Sequence, residues 1–245
     1  MRYVILFFLL LLSSGFLVEC EGLPFVDSSS GDDESTVIDT RAAYPTLQTD
    51  ETGAFVTAYA PDTVYQWRLT DGGFVIGMPD APVTLVVFAD FLCPHCQRYT
   101  QEVDRFFETF VLTGQAKFEH RFLPTQARSP FVSAVVECAA EMYPGGFYPV
   151  YQKMYSIASS RAVDDNIGQE IAAAFLLDAD AMQACADSAD QVEIDRMIAA
   201  ENLVNATPSL RVRFDAGALE LINEDAVQGP VSFETLAVFM SNLGE

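Results

Sequence analysis

The chain has 245 residues, half of them apolar, with 35 acidic side chains against 13 Lys and Arg and a formal charge of −22. That length and apolar content supply one good core or two small ones, and one main domain is the economical reading. An acidic excess of this size leaves no basic stripe to neutralise phosphates, so nucleic acid is excluded as a partner, and the charge describes a solvated surface rather than a fold.

The first stretch, "MRYVILFFLLLLSSGFLVECEG", places Arg2 ahead of an apolar run over residues 4–12, followed by Ser13, Ser14 and Gly15 and a second short apolar run. Roughly 15 apolar positions fall short of the about 20 that a membrane span needs, and the layout is that of a secretory signal over residues 1–20. Export to an extracytoplasmic location, periplasm or cell surface, is expected. Three endings stay open: lipidation of Cys20, cleavage between Cys20 and Gly22, or an uncleaved N-terminal anchor. Glu19 stands where a lipoprotein signal wants a small residue. Residues 21–62 carry the run "DSSSGDDES" and bury too little apolar surface to offset their ordering entropy, so they are read as a flexible acidic tether. The folded domain is read as residues 63–245.

Within it, "APVTLVVFAD" is a β-branched and aromatic run that predicts a buried strand over 84–89. Directly after it come Cys93, Pro94, His95 and Cys96, opening "CQRYTQEVDRFFETFVLTG", where Tyr99, Val103, Phe106, Phe107 and Phe110 recur at helical spacing and Gly114 marks the stop. A second strand, "AKFEHRFLP", follows. Residues of about 127–204 then read as four or five short helices. "NATPSLRVRF" and "ALELINE" read as two strands joined by "DAG", and "SFETLAVFMSNL" as a closing helix capped by Ser232. The fold class is therefore α/β, a strand–helix–strand unit interrupted by a helical insertion, with the cysteines beyond the carboxyl end of a strand, where open α/β sheets bind and react.

The chemistry lies in that tetrapeptide. A cysteine at a helix N-terminus faces unpaired backbone N–H groups and the positive end of the helix dipole, which favour a thiolate. His95 adds a donor or a positive charge on the same side. Both effects lower the expected pKa of Cys93, making it a good leaving group and favouring the reduced dithiol over the disulfide. A substrate thiolate then attacks the Cys93 sulfur and expels Cys96, and a second substrate thiolate attacks the mixed disulfide and expels Cys93. The redox-active pair itself is the only reagent, so no cofactor is expected. A zinc or copper module built on Cys93, His95 and Cys96 is the weak alternative, because ligands within one helical turn close a tetrahedron poorly and there is no second Cys-x-x-Cys pair.

The chain resembles the thioredoxin superfamily and, within it, the DsbA-like thiol–disulfide oxidoreductases, whose thioredoxin domain is interrupted by helices. The resemblance covers about residues 74–243. It rests on "GMPDAPVTLVVFADFLCPHC", on "ECAAE" and "AMQACADS" in the insertion, and on "NATPSL" about 110 residues downstream. It implies that Pro208 follows a cis peptide bond and lies against the cysteines, leaving the backbone of Thr207 free to pair with an extended substrate segment. It also implies protein substrates bearing free thiols or disulfides and a quinone-linked membrane partner that reoxidises the pair. Many thioredoxin-like proteins carry a buried acid six residues ahead of the first cysteine, where this chain has Val87. Asp90 matches an acid of the DsbA-like branch and is read either as a hydrogen-bonded strand-end carboxylate or as a proton relay. Cys138 and Cys185 are either a structural disulfide of an exported protein or two small buried residues. His120, in the second strand, is read as structural. An exported oxidase is the leading reading; a reductase or isomerase of the same fold is the alternative, although no dimerisation domain is evident.

Overall fold

The computed structural model describes residues 44–49, 55–60, 65–144 and 146–243. The stretch read as a secretory signal, Cys20 and most of the stretch read as an acidic tether lie outside the described residues. Inside the stretch read as tether, β1 (Tyr44–Thr49) and β2 (Phe55–Ala60) pair antiparallel, with Thr46 opposite Ala58.

Apolar runs without alternation form the centre of the main sheet. β5 (Val83–Ala89) and β6 (Lys117–Phe122) are buried along their whole length and run parallel, which requires the helical crossover between them. β4 (Phe74–Gly77) pairs antiparallel with β6, β3 (Tyr65–Arg68) with β4, and β7 (Ser209–Phe214) with β5, giving the order β3-β4-β6-β5-β7. The β3–β4 hairpin is absent from the sequence reading. Each of its strands has only four residues, too few for a period of two to stand out. The second strand expected in "ALELINE" shrinks to a single bridge between Val212 and Glu220. The chain turns at Asp215 with φ of 50°, and of the segment beyond only Ile222 is buried, Leu221 being left exposed, so there is little packing to hold an extended pairing against solvent.

α1 (Pro94–Phe106) supplies the crossover and buries Cys96, Tyr99, Val103 and Phe106 on one face. It then passes into a π-helical turn, Phe107–Val111, whose extra residue lets the adjacent Phe106 and Phe107 both enter the core. Five helices separate β6 from β7: α2 (Ser129–Met142), α3 (Phe147–Ser160), α4 (Ile167–Phe175), α5 (Ala179–Ala186) and α6 (Gln191–Glu201). The closing helix α7 (Phe233–Asn242) starts at Ser232, whose hydroxyl accepts the Thr235 N–H at 3.3 Å.

The two faces of the sheet are built differently. Leu85, Val87, Phe118 and Phe122 join the main core with α1, α2 and α3, whereas Val86 and Phe88 meet Ala199 of α6 and Val204. On that second face the alternation of β6 puts Glu119 and Arg121 inside. Arg121 bonds Glu119 at 2.6 Å, Asp71 at 2.7 Å and Asp195 of α6 at 3.0 Å, and Asp195 also accepts the Phe122 N–H at 2.7 Å. Charges this deeply buried are tolerable only when each is paired, and the pairing fixes α6 on the sheet. Gly73 leaves room for the guanidinium, since a Cβ there would stand 2.6 Å from Arg121.

Candidate active site

Strand β5 ends at Ala89, and the next four residues make a tight turn into α1. The Cys93 N–H bonds the Asp90 carbonyl at 3.1 Å, and the Cys93 carbonyl accepts the Gln97 N–H at 3.0 Å, so Cys93 is the N-cap residue. Pro94 follows at the first helical position, where a missing N–H leaves no bond unmade. Gln97 ties this corner to its surroundings by donating to the Phe91 carbonyl at 2.9 Å and to Ala158 of α3 at 3.2 Å.

Both cysteines are free thiols, Cys93 7 % exposed and Cys96 2 %. The Cys93 thiol donates to the Thr207 carbonyl at 3.5 Å, across 114 residues of sequence. The Thr207–Pro208 peptide bond is cis. Cys96 lies deeper, its sulfur 3.5 Å from the Asp90 N–H. Burial pushes its thiol up to about 12; the Asp90 N–H and the Thr207 hydroxyl favour the charged form, and the nearby Cys93 opposes it. The Thr207 hydroxyl is buried and bonded to no other side chain, which leaves it available to the Cys96 sulfur when that thiol ionises.

Asp90 is 1 % exposed, and both of its oxygens are occupied. Oδ1 accepts the Leu92 N–H at 2.9 Å; Oδ2 accepts the Thr125 N–H at 2.8 Å, the Thr125 hydroxyl at 2.6 Å and the Ser129 hydroxyl at 2.9 Å. Its carboxylate therefore knots the end of β5 to the loop after β6 and the start of α2. His95 is exposed, and Nη2 of Arg98 lies 3.0 Å from its Nδ1. The guanidinium can only donate, so it holds Nδ1 as an acceptor and supplies the positive charge on this side of α1.

Val87, at the strand position that carries an acid in many thioredoxin-like proteins, is paired in register with His120 of β6. The His120 ring is fully buried among Phe91, Phe122, Phe147 and Tyr151, and both its nitrogens lack a hydrogen-bond partner among the described residues. Burial, reinforced by Arg121, lowers its pKa to about 3, so it is a neutral ring packed as a hydrophobe. Cys138 of α2 and Cys185 of α5 form a disulfide. Among the described residues no three His, Cys, Asp or Glu groups converge on a metal position.

A strand, a two-cysteine turn into a helix, and a cis-proline loop laid over the first thiol thus occupy one end of the sheet. The family model described as Thioredoxin matches residues 69–239. The chain belongs to this thioredoxin family. Among solved structures it is similar to Wolbachia pipientis alpha-DsbA1, with 20% identity, 69% of this chain and 89% of that one covered, and a TM-score of 0.58. It is also similar to BdbD from Bacillus subtilis in its oxidised form, with 20% identity, 69% and 90% covered, and a TM-score of 0.57. Chlamydia trachomatis DsbA gives 19% identity, 69% and 90% covered, and a TM-score of 0.55. No curated protein matches the sequence. The fold is accordingly the DsbA-like form of the thioredoxin fold.

In this thioredoxin-family chain the structure brings Cys93, Cys96, Thr207 and the Asp90 backbone together and leaves Pro94 and His95 on the rim. The sequence reading missed Gln97, Arg98, Thr125 and Ser129. Arg98 carried a signal, since it lies three residues from His95 and on the same helix face. The partners of Asp90 carried none, because they reach it only through the fold.

Proposed function

We propose that this chain is an exported thiol–disulfide oxidoreductase that transfers the Cys93–Cys96 disulfide to the thiols of exported proteins. The observation that carries the reading is the pairing of an N-cap cysteine, lying against the Thr207 carbonyl beside a cis-proline, with a second cysteine buried behind it. A substrate thiolate attacks the Cys93 sulfur, the Cys93–Cys96 bond breaks, and Cys96 leaves as a thiolate next to the Asp90 N–H before taking a proton. A second substrate thiolate attacks the substrate sulfur of the mixed disulfide and expels Cys93. The substrate is oxidised by two electrons and the protein is reduced by two.

The environment of Cys96 bears on how the mixed disulfide resolves. Reduction of a substrate disulfide ends when the Cys96 thiolate attacks Cys93, and a thiol pushed up to about 12 is almost never a thiolate at neutral pH. The position six residues before Cys93 offers valine rather than an acid to remove that proton, and the Asp90 carboxylate already accepts four hydrogen bonds. Resolution of the mixed disulfide by a second substrate thiol is therefore favoured. An anion on Cys93 sits at the positive end of α1, with the Arg98 guanidinium one turn away. The secretory layout of residues 1–20 and the Cys138–Cys185 disulfide support an extracytoplasmic location, where a membrane redox partner would restore the disulfide.

The test is the thiol–disulfide equilibrium of the full chain against glutathione, read by mass spectrometry after alkylation, with Cys93→Ser as control. A Cys93–Cys96 disulfide that is reduced in mildly reducing buffer and passes to a reduced protein substrate is the expected result. Resistance until strongly reducing conditions overturns the proposed direction.

A further inference from the structure

The loop that carries Thr207 and Pro208 is held from its outer side by a segment that the exchange chemistry does not use. Between α6 and β7 the chain passes Leu203 in the left-handed region, with φ of 56°, and then turns toward Cys93. The half-buried side chain of Gln228 reaches both ends of this loop. Its Oε1 accepts the Asn205 N–H at 3.1 Å and the Ser209 hydroxyl at 3.2 Å, and its Nε2 donates to the Leu203 carbonyl. The Ser209 hydroxyl oxygen in turn accepts the Gly229 N–H at 3.1 Å. A second bridge lies beside the first. Arg211 is 2 % exposed and has no carboxylate partner among the described residues. Its guanidinium donates instead to backbone carbonyls, to Asn202 at 2.8 Å, Val227 at 3.1 Å and Leu210 at 2.8 Å.

Those of Gln228, and that of Arg211 with Asn202, tie residues 202–209 to Gln228 or to β7; the bond of Arg211 with Val227 ties β7 to the segment beside Gln228; and none touches either cysteine. One primary amide thus replaces the secondary structure that a loop of this kind lacks, satisfying a donor on one side of Thr207 and an acceptor and a hydroxyl on the flanks. We propose that Gln228 is a positioning residue for substrate recognition, fixing the cis-proline loop so that the backbone of Thr207 is presented to an extended, cysteine-bearing polypeptide segment alongside Cys93. The inference rests on the reading of Thr207 as the substrate-pairing residue. A small thiol needs only access to the Cys93 sulfur, whereas a polypeptide must also pair with peptide groups of the loop. Freedom left in that loop is lost on binding and weakens the complex. The clamp therefore selects by substrate class, acting on extended polypeptide thiols and not on small ones.

The experiment uses the full chain, wild type and Gln228→Ala, Gln228→Glu and Ser209→Ala variants, with glutathione disulfide as the final oxidant. Turnover is measured with an unstructured two-cysteine peptide, and the single-turnover rate of the oxidised protein is measured with dithiothreitol. Gln228→Ala is expected to raise KM for the peptide about tenfold, with kcat and the dithiothreitol rate within about twofold; tenfold corresponds to about 1.4 kcal/mol, the size of one or two hydrogen bonds. Gln228→Glu keeps both acceptor bonds and loses the donor to Leu203, so about a threefold rise is expected. Ser209→Ala gives the same pattern by a separate route, which keeps the test decisive should Gln228→Ala melt early. Equal slowing with peptide and dithiothreitol, or an unchanged KM in both Gln228→Ala and Ser209→Ala, overturns the inference. A wild-type protein inert toward both thiols overturns the oxidoreductase reading itself, and this inference with it.

Discussion

Removing the Cys138–Cys185 cross-link measures how far the helical insertion depends on it. The bond ties α2 to α5 across a sequence separation of 47. In the chain-entropy treatment, closing a loop of that length restricts the unfolded chain by about 4 kcal/mol at 25 °C. Cys138 is fully buried, so Cys138→Ala leaves a small cavity that adds about 1 kcal/mol, whereas Cys185 is only half-buried. The double alanine variant is thus expected to lose about 4 to 5 kcal/mol, an upper figure because real unfolded chains are already compact. For a domain of this size that lowers Tm by roughly 8–20 °C. Urea unfolding followed by circular dichroism gives the free energy, and an m-value that rises slightly in the variant reports the less restricted unfolded state. Either single variant also breaks the bond, so Cys185→Ala should cost nearly as much as the double. A loss below about 1 kcal/mol, or single-variant losses that simply add, would refute the entropic argument.

Two further outcomes follow from the buried titratable groups. In a Cys93→Ser variant the remaining active-site thiol, held at about 12 chiefly by burial, should alkylate with iodoacetamide at pH 8 about a thousandfold more slowly than free cysteine, with a rate still climbing beyond pH 10; a rate within tenfold of free cysteine contradicts the burial. His120 is depressed to about 3 in the folded protein, against about 6.5 in the unfolded chain. Below pH 6.5 the unfolded chain takes up a proton that the native protein does not, so stability drains away as pH falls toward 3. In His120→Leu the stability lost between pH 7 and pH 4 should shrink by about 3 kcal/mol, and an unchanged pH profile would show that the ring titrates normally.

The mechanism divides the two cysteines by depth. Cys93 sits at the mouth, where a helix end and the Thr207 carbonyl meet; Cys96 sits behind it, where desolvation opposes its charge. A single turn of helix separates them, and burial raises the pKa of the deeper one, Cys96. The two positions where a proton acceptor for Cys96 is sought offer none that is uncommitted: the strand position of Val87 is apolar, and Asp90 is spent on holding Thr125 and Ser129.

Features that depend on neighbours along the chain are legible in the residues themselves. The unbroken apolar run before Asp90 specifies a buried strand, Pro94 suits only the first turn of a helix, and the spacing of Tyr99, Val103 and Phe106 specifies the face that α1 turns inward. Ser232 marks the start of α7, and the periodicity of the insertion reads as four or five short helices, of which the structure forms five. Likeness to a known motif located the proline loop, which spacing alone does not distinguish from an ordinary turn. What the tertiary structure decided are interactions between residues far apart in the chain: the Cys93 thiol against Thr207, the disulfide between α2 and α5, the donors gathered around Asp90, and Gln228 spanning both ends of the proline loop. Local propensity carries no information about such pairs. Each depends on where the sheet places the end of one element against the start of another, and on how much water is left there once they meet.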